Sequence, residues 1–248
     1  MRAAYIDLDG TLLGPGGSLL RGGRGGFCEA GVRALRLLHE ARVATVLVSG
    51  RSRARLEAAA RVLGATGILP EMGALDAGYP TRPGETVHAA IAATGVPAAL
   101  LERERGLEPH PAAQWGREGS HVFRGRASAA AAGLVRELSG GALRLVDNGR
   151  ADRDGARVYH VLPAGASKAA AVARDVAARG ADPGACLAVG DSREDLGMGD
   201  VVGAVAIVAN GAEHDPDLAA RAPWVTRGSY GAGVLEAVRE WLRLRPPG

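Results

Sequence analysis

Two carboxylates, one residue apart, end the first apolar run of the chain, Ala3-Ala4-Tyr5-Ile6-Asp7-Leu8-Asp9-Gly10-Thr11. An apolar run entering an acidic pair and a Gly-Thr turn reads as a strand carrying Asp7 and Asp9 at its carboxyl end. Alternate strand residues point to one side, and open α/β sheets bind ligands at the carboxyl ends of their strands, so both acids are expected in one pocket. Paired carboxylates suit a hard divalent cation, or a nucleophile working beside an acid. The pattern recurs twice. The apolar run 43–48 ends in Ser49-Gly50-Arg51, and Leu187-Ala188-Val189 ends in Gly190-Asp191-Ser192-Arg193-Glu194-Asp195.

Of 30 basic residues only one, Lys168, is lysine. In a chain that otherwise uses arginine, the remaining lysine is expected where a compact ammonium serves and a planar guanidinium does not. Lys168 opens an alanine-rich stretch read as a helix over 168–179. A helix N-terminus favours anions, because its amides are unpaired and its dipole is positive there.

The elements needed to position these groups follow from the hydrophobic pattern. Helices are expected over 29–41, with Leu35 and Leu38 on one stripe, and over 52–63. Strands are expected over 43–48, 67–69, 186–190 and 204–208, with a helix near 193–199 and a last helix placing Val234, Val238 and Leu242 on one face. This alternation predicts a Rossmann-like, doubly wound parallel sheet. About 120 residues separate Ser49 from Lys168, whereas a βαβ step needs about 30, so an inserted domain of about 80 residues is expected. We place the core at 1–80 and 162–248 and the insertion, a small α+β cap, at 81–161. Within it a strand is expected over 120–125, a helix over 127–139, and strands over 143–146 and 158–162 joined by a turn-rich stretch, 147–155. Residues 95–119 show no assignable pattern.

Composition narrows the function classes. The chain has 248 residues, 47% hydrophobic and 23% charged, with a formal charge of +3, as expected of a folded enzyme. Aromatic residues are 4%, too few for base-stacking platforms, and the arginines are scattered along helices, so nucleic acid is not an expected partner. Cys28 and Cys186 read as core residues rather than a disulfide or zinc pair. No apolar run approaches bilayer length and no leader-like segment precedes the first strand, so no membrane partner and a cytoplasmic location are expected. A phosphate-binding P-loop is excluded because the only lysine follows Ser167 in the wrong pattern, and no Gly-x-Ser-x-Gly elbow is present.

With Asp7, Asp9, Ser49, Lys168, Asp191 and Asp195 in this order, the chain resembles the haloacid dehalogenase (HAD) superfamily of phosphohydrolases at all four of its motifs, over 1–75 and 160–235. The insertion between Ser49 and Lys168 resembles the C2-capped, type IIB branch, which includes Cof-like, sucrose-phosphatase-like and mannosyl-3-phosphoglycerate-phosphatase-like enzymes. The resemblance implies that Asp7 is the nucleophile and becomes an aspartyl phosphate, and that Asp9 protonates the leaving oxygen and then activates water. It implies Mg²⁺ held by Asp7, the Asp9 carbonyl and Asp191, with Asp195 and Ser192 supporting that loop from outside. Ser49, through hydroxyl and amide, Gly50, Arg51, Lys168 and Asn210 are implied on the phosphate side, Asn210 also bracing the metal-side loops. Two departures stand out. Glu194 replaces an Asn common in relatives, and Glu71-Met72-Gly73 stands where many carry Glu-Asn-Gly.

In the insertion, Arg124 and Arg126 share a strand face with His121 nearby, and could receive a carboxylate or sugar hydroxyls. The loop around His110, Trp115 and Arg117 could form a specificity lip. His39, His88, His160 and His214 are expected to be structural. The reading is a Mg²⁺-dependent phosphatase of a small phosphorylated acid or sugar, with phosphoglycolate and mannosyl- or glucosyl-phosphoglycerate as candidates by resemblance. A phosphosugar mutase using the same aspartyl phosphate, or a non-catalytic phosphometabolite-binding protein, remain open beside it.

Overall fold

A computed structural model describes residues 1–114, 116–150 and 155–244. The chain divides into two compact units, Met1–Ser49 with Leu56–Leu69 and Lys168–Gly248, and Gly50–Arg55 with Pro70–Ser167. The sequence boundaries of 80/81 and 161/162 thus lie inside the second unit. Residues 70–80 go with it because Glu71 is buried there, accepting hydrogen bonds from the amides of Glu118 and Gly119.

The first unit is built on a parallel sheet of β1 (Ala3–Asp7), β2 (Ala44–Val48), β3 (Gly67–Leu69), β8 (Leu187–Gly190) and β9 (Ala204–Ile207), in the order β3-β2-β1-β8-β9. Strand alternation divides its side chains between two cores. Ala4, Ile6, Leu47 and Val189 pack with Ala34 and Leu38 of α1 (Ala30–Glu40), Leu56 and Ala60 of α2 (Arg53–Leu63), and Val234, Val238 and Trp241 of α10 (Gly231–Leu244). Ala3, Tyr5, Val46, Val48 and Ala188 pack with Val172 and Val176 of α6 (Lys168–Arg179). Both faces are covered, as expected of a doubly wound sheet. Each fully buried Leu or Val side chain contributes about 1.5–3 kcal/mol, which ties the strands to their helices. The buried stripe of α1 is Ala34 and Leu38, with Leu35 only partly buried. On α10, Trp241 takes the deep position expected of Leu242. Beyond Gly190, the expected helix over 193–199 is α7 (Arg193–Leu196) followed by a tighter turn, Gly197–Asp200. Short helices α8 (Ala209–His214) and α9 (Pro216–Arg221) follow β9.

The second unit holds an antiparallel sheet ordered β4-β5-β7-β6, from β4 (Leu107–Pro109), β5 (His121–Gly125), β6 (Leu143–Arg150) and β7 (Arg157–Pro163). Its helices are α3 (Val87–Ala93), α4 (Val96–Arg103) and α5 (Ala131–Leu138). Phe123, Tyr159, Val161 and Leu143 meet Ile91, Leu100 and Val135 of these helices in one core. By register the other face carries Val122, Arg124, Val146, His160 and Leu162, partly covered by Met72 and Ala74. The stretch 95–119 resolves into α4, β4 and a short 3-10 turn, Pro111–Gln114. The expected turn 147–155 is in part strand, since β6 continues to Arg150 across a register shift; residues 151–154 lie outside the described residues. The expected helix 127–139 begins later, at Ala131, after Ser128 is tied to Glu104. Among the described residues no helix is long and apolar enough to cross a membrane.

Candidate active site

Three adjacent parallel strands, β2, β1 and β8, end at one edge of the first unit's sheet. Asp7 is the last residue of β1 and lies opposite Val48, so Ser49 follows one strand while Asp191 follows the other. Asp7 is 4% exposed and Lys168 1%. Lys168 is the first residue of α6, and its ammonium donates to Asp7 Oδ1 at 2.6 Å and to Asp195 Oδ1 at 2.8 Å. The second bond adds a contact to the supporting place expected of Asp195. Asp195 is fully buried and its other oxygen accepts from Ser192 Oγ and from the amides of Ser192 and Asp191. Ser192 caps α7, its hydroxyl and the Asp195 carboxylate forming a reciprocal capping box. One carboxylate therefore shapes the loop carrying Asp191 and fixes the lysine.

Asp9 is placed differently from the strand argument. Because β1 stops at Asp7, Asp9 sits exposed in the turn that follows, paired by an isolated bridge to Leu13. Its carboxylate still lies close enough to Asp7 to raise that residue's pKa. The turn is possible because Gly10 has φ +88°, and a Cβ there would collide with Asp191 Oδ2. Gly211 meets Asp191 from another side, with room for no Cβ beside its carbonyl. Thr11, fully buried, donates to Asp191 Oδ1 at 3.4 Å; the sequence reading did not single it out, although it follows the acidic pair closely.

Ser49 is buried after β2, and its amide donates to Leu69 O at 3.0 Å. That amide is committed to the sheet, so a ligand would meet the hydroxyl. Asn210 is placed as a brace: its Nδ2 donates to Gly10 O, and its Oδ1 accepts from the Tyr230 amide, each at 2.8 Å. Both ends of the amide hold backbone, tying the turn at Gly10 to the backbone of Tyr230. Gly50 and Arg51 fall in the second unit.

The electrostatics follow from three carboxylates around one ammonium. Burial alone would lower the Lys168 pKa, but Asp195 and Asp7 outweigh it and hold the ammonium above its ordinary value. Burial, opposed by Lys168 and reinforced by Asp195 and Asp9, pushes Asp7 up to about 7. Burial and the charges of Asp7 and Asp195 hold Asp191 well above the usual carboxylate range. When all three acids ionise, the cluster with its one ammonium carries a surplus of two negative charges, which one divalent cation would balance; like charges about 4 Å apart repel by about 4 kcal/mol at an effective dielectric constant of about 20. Carboxylate oxygens of Asp7, Asp191 and Asp195 lie within 4.8 Å of one another. Asp195 is already held by Lys168 and Ser192, whereas Asp7 Oδ2 is buried with no hydrogen-bond partner. The hard-oxygen donor set and this orphaned oxygen fit a divalent cation such as Mg²⁺, which Asp7 and Asp191 could hold.

In the second unit, His121 stacks on His88 with ring centroids 3.8 Å apart, and its Nε2 contacts His88 O. Burial lowers its pKa to about 4, so it is a neutral packing group. Arg124 pairs with Glu108 at 3.2 Å, and both line a cavity of about 440 Å³ with Arg105 and Arg126. Arg117 is not on an exposed lip: its side chain is 4% exposed beside Glu71. Trp115 lies outside the described residues.

No protein-family model and no curated protein sequence matches the chain. Solved structures do match along its length. The sucrose-phosphatase of Synechocystis, solved with sucrose and phosphate, is 17% identical with a TM-score of 0.67, covering 97% of this chain and 98% of its own. The HAD phosphatase BT1666 of Bacteroides thetaiotaomicron is 16% identical with a TM-score of 0.69, covering 97% and 95%. The subclass IIB sugar phosphatase BT4131 is 15% identical with a TM-score of 0.64, covering 98% of each chain. At such identities the likeness carries the fold.

Proposed function

We propose that this chain, which has the fold of the haloacid dehalogenase-like phosphatases, is a Mg²⁺-dependent phosphomonoesterase acting on a small phosphorylated acid or sugar. The observation that carries the reading is the Asp7 carboxylate, buried at a strand end with one oxygen on Lys168 and the other without a partner. Asp7 attacks phosphorus as the bond to the leaving oxygen breaks, and Asp9 gives that oxygen its proton. Asp9, now a carboxylate, takes a proton from water as water attacks the aspartyl phosphate, releasing inorganic phosphate and restoring Asp7. Lys168 neutralises charge shared by Asp7 and the phosphoryl oxygens, and the Ser49 hydroxyl donates to one of them. Bound by Asp7, Asp191 and the Asp9 carbonyl, Mg²⁺ would supply the positive charge that keeps Asp7 ionised and offsets charge on the phosphoryl group.

By resemblance the second unit is a cap, which favours a small substrate. Such a substrate fits a cytoplasmic enzyme with no nucleic-acid or membrane partner. The test is phosphate release from a panel of phosphorylated sugars and acids with Mg²⁺. Release that disappears with EDTA and in Asp7→Asn is expected; transfer of the group back onto sugar would instead identify a mutase, and silence across the panel a binding protein.

A further inference from the structure

We infer that Glu71 and Arg117 are positioning residues for the turn that follows Ser49, acting as a buried clamp on its two carbonyls. Arg117 Nη1 donates to Gly50 O at 2.9 Å, and the Glu71 amide donates to Arg51 O at 3.0 Å. The clamp is built from within. Ser120 Oγ accepts from Arg117 Nη1 at 3.2 Å and donates to Glu71 Oε2 at 2.7 Å, bridging an ion pair whose direct separation is 3.5 Å. Glu71 Oε1 accepts from the Glu118 amide and Oε2 from the Gly119 amide. Glu71 is fully buried.

Two further features say that this arrangement does more than fill space. Glu71 and Met72 have φ of +49° and +55°, a backbone region that side-chain-bearing residues rarely adopt, and it persists because every acceptor of Glu71 is held. Arg117 Nε is buried with no hydrogen-bond partner, so the guanidinium sits where its Nη1 reaches Gly50 rather than where all its donors are satisfied. Planar trans peptides carry the consequence onward. With the Gly50 and Arg51 carbonyls fixed, the N–H groups of Arg51 and Ser52 must point the opposite way, away from the clamp. The same loop is closed on by His160, which leaves only 3.0 Å to a Cβ built on Gly50. Orientation of the turn beside Ser49 is therefore set by residues that touch no reacting atom.

The inference rests on the phosphatase reading of Ser49, so its experiment has two arms. In the first, phosphate release by Arg117→Ala is compared with the native protein. A fall of about 100-fold in kcat/KM is expected, the scale of a small misplacement at a reacting centre, with partial rescue by millimolar guanidinium and by Arg117→Lys. In the second, hydrogen exchange is followed at the 50–53 amides. Faster exchange confined to that turn is expected in Arg117→Ala and in Glu71→Gln, with β1 and β8 unchanged. Glu71→Gln and Arg117→Lys serve if the alanine variant does not fold. Unchanged exchange in the turn, or faster exchange with unchanged kcat/KM, overturns the inference. A native protein silent on every phosphoester overturns the phosphatase reading instead, and the exchange arm alone then decides whether the clamp exists.

Discussion

Each unit contains a buried cation held by a buried carboxylate, and the two clusters differ in what they leave over. Glu71 has both oxygens occupied, by two amides, the Ser120 hydroxyl and Arg117. Around Lys168 the acids outnumber the ammonium, and Asp7 keeps one oxygen without a partner. A carboxylate with both oxygens held rigidifies its surroundings; one with surplus charge and an open oxygen is prepared for a ligand. The choice of cation agrees. Arginine bridges several acceptors at once, while Lys168 places a point charge between two carboxylates in a space with 1% exposure.

That contrast can be broken most directly at Asp7. Asp7→Asn should abolish phosphate release while the fold, read by circular dichroism, persists; retained turnover would remove Asp7 from the chemistry. Lys168→Met should come next. It leaves the acids without their counter-charge, and breaking a buried pair costs about 3–5 kcal/mol, seen as a lower Tm together with a loss of kcat of at least about 100-fold. If Lys168→Arg were fully active, the argument for a compact ammonium would fail.

The surplus charge gives a pH signature. Because the Asp7 carboxyl is raised to about 7 and that of Asp191 well above its usual range, the folded metal-free protein binds protons that the unfolded chain has released. This contribution to stability is fully present below about pH 4 and is lost as pH rises through about 7. Mg²⁺ must displace those protons, so the Tm gain on adding it should be larger at about pH 8 than at about pH 5.5; equal gains at both would argue against the cation lying among these acids. The smallest effect is expected from Ser192→Ala. It removes the α7 cap for about 1 kcal/mol and lowers kcat modestly, since Asp195 keeps its bond to Lys168.

Much of the first unit was legible because its strands are continuous apolar runs, with Asp7, Ser49 and Asp191 at or just past their ends. Spacing could not show that Lys168 joins Asp7 to Asp195, a contact spanning 161 residues on one side and 27 on the other. Nor could alternation place Asp9, since the strand stops two residues earlier and a left-handed glycine redirects the chain. In the second unit, α4, β4 and the turn after it are 8, 3 and 4 residues long, too short for periodicity to register. Arg117 looked exposed because residues 95–119 show no assignable pattern; its burial depends on Glu71, 46 residues away.

The solitary lysine has one more consequence. A lysine-specific protease can cut this chain only after residue 168, where the second unit ends at Ser167 and the first resumes. With Lys168 enclosed between two carboxylates, the native chain should resist digestion, and each opening of the site should yield the same two fragments. The residue held between these two carboxylates thus doubles as a built-in cleavage reporter, counting how often that cluster comes apart.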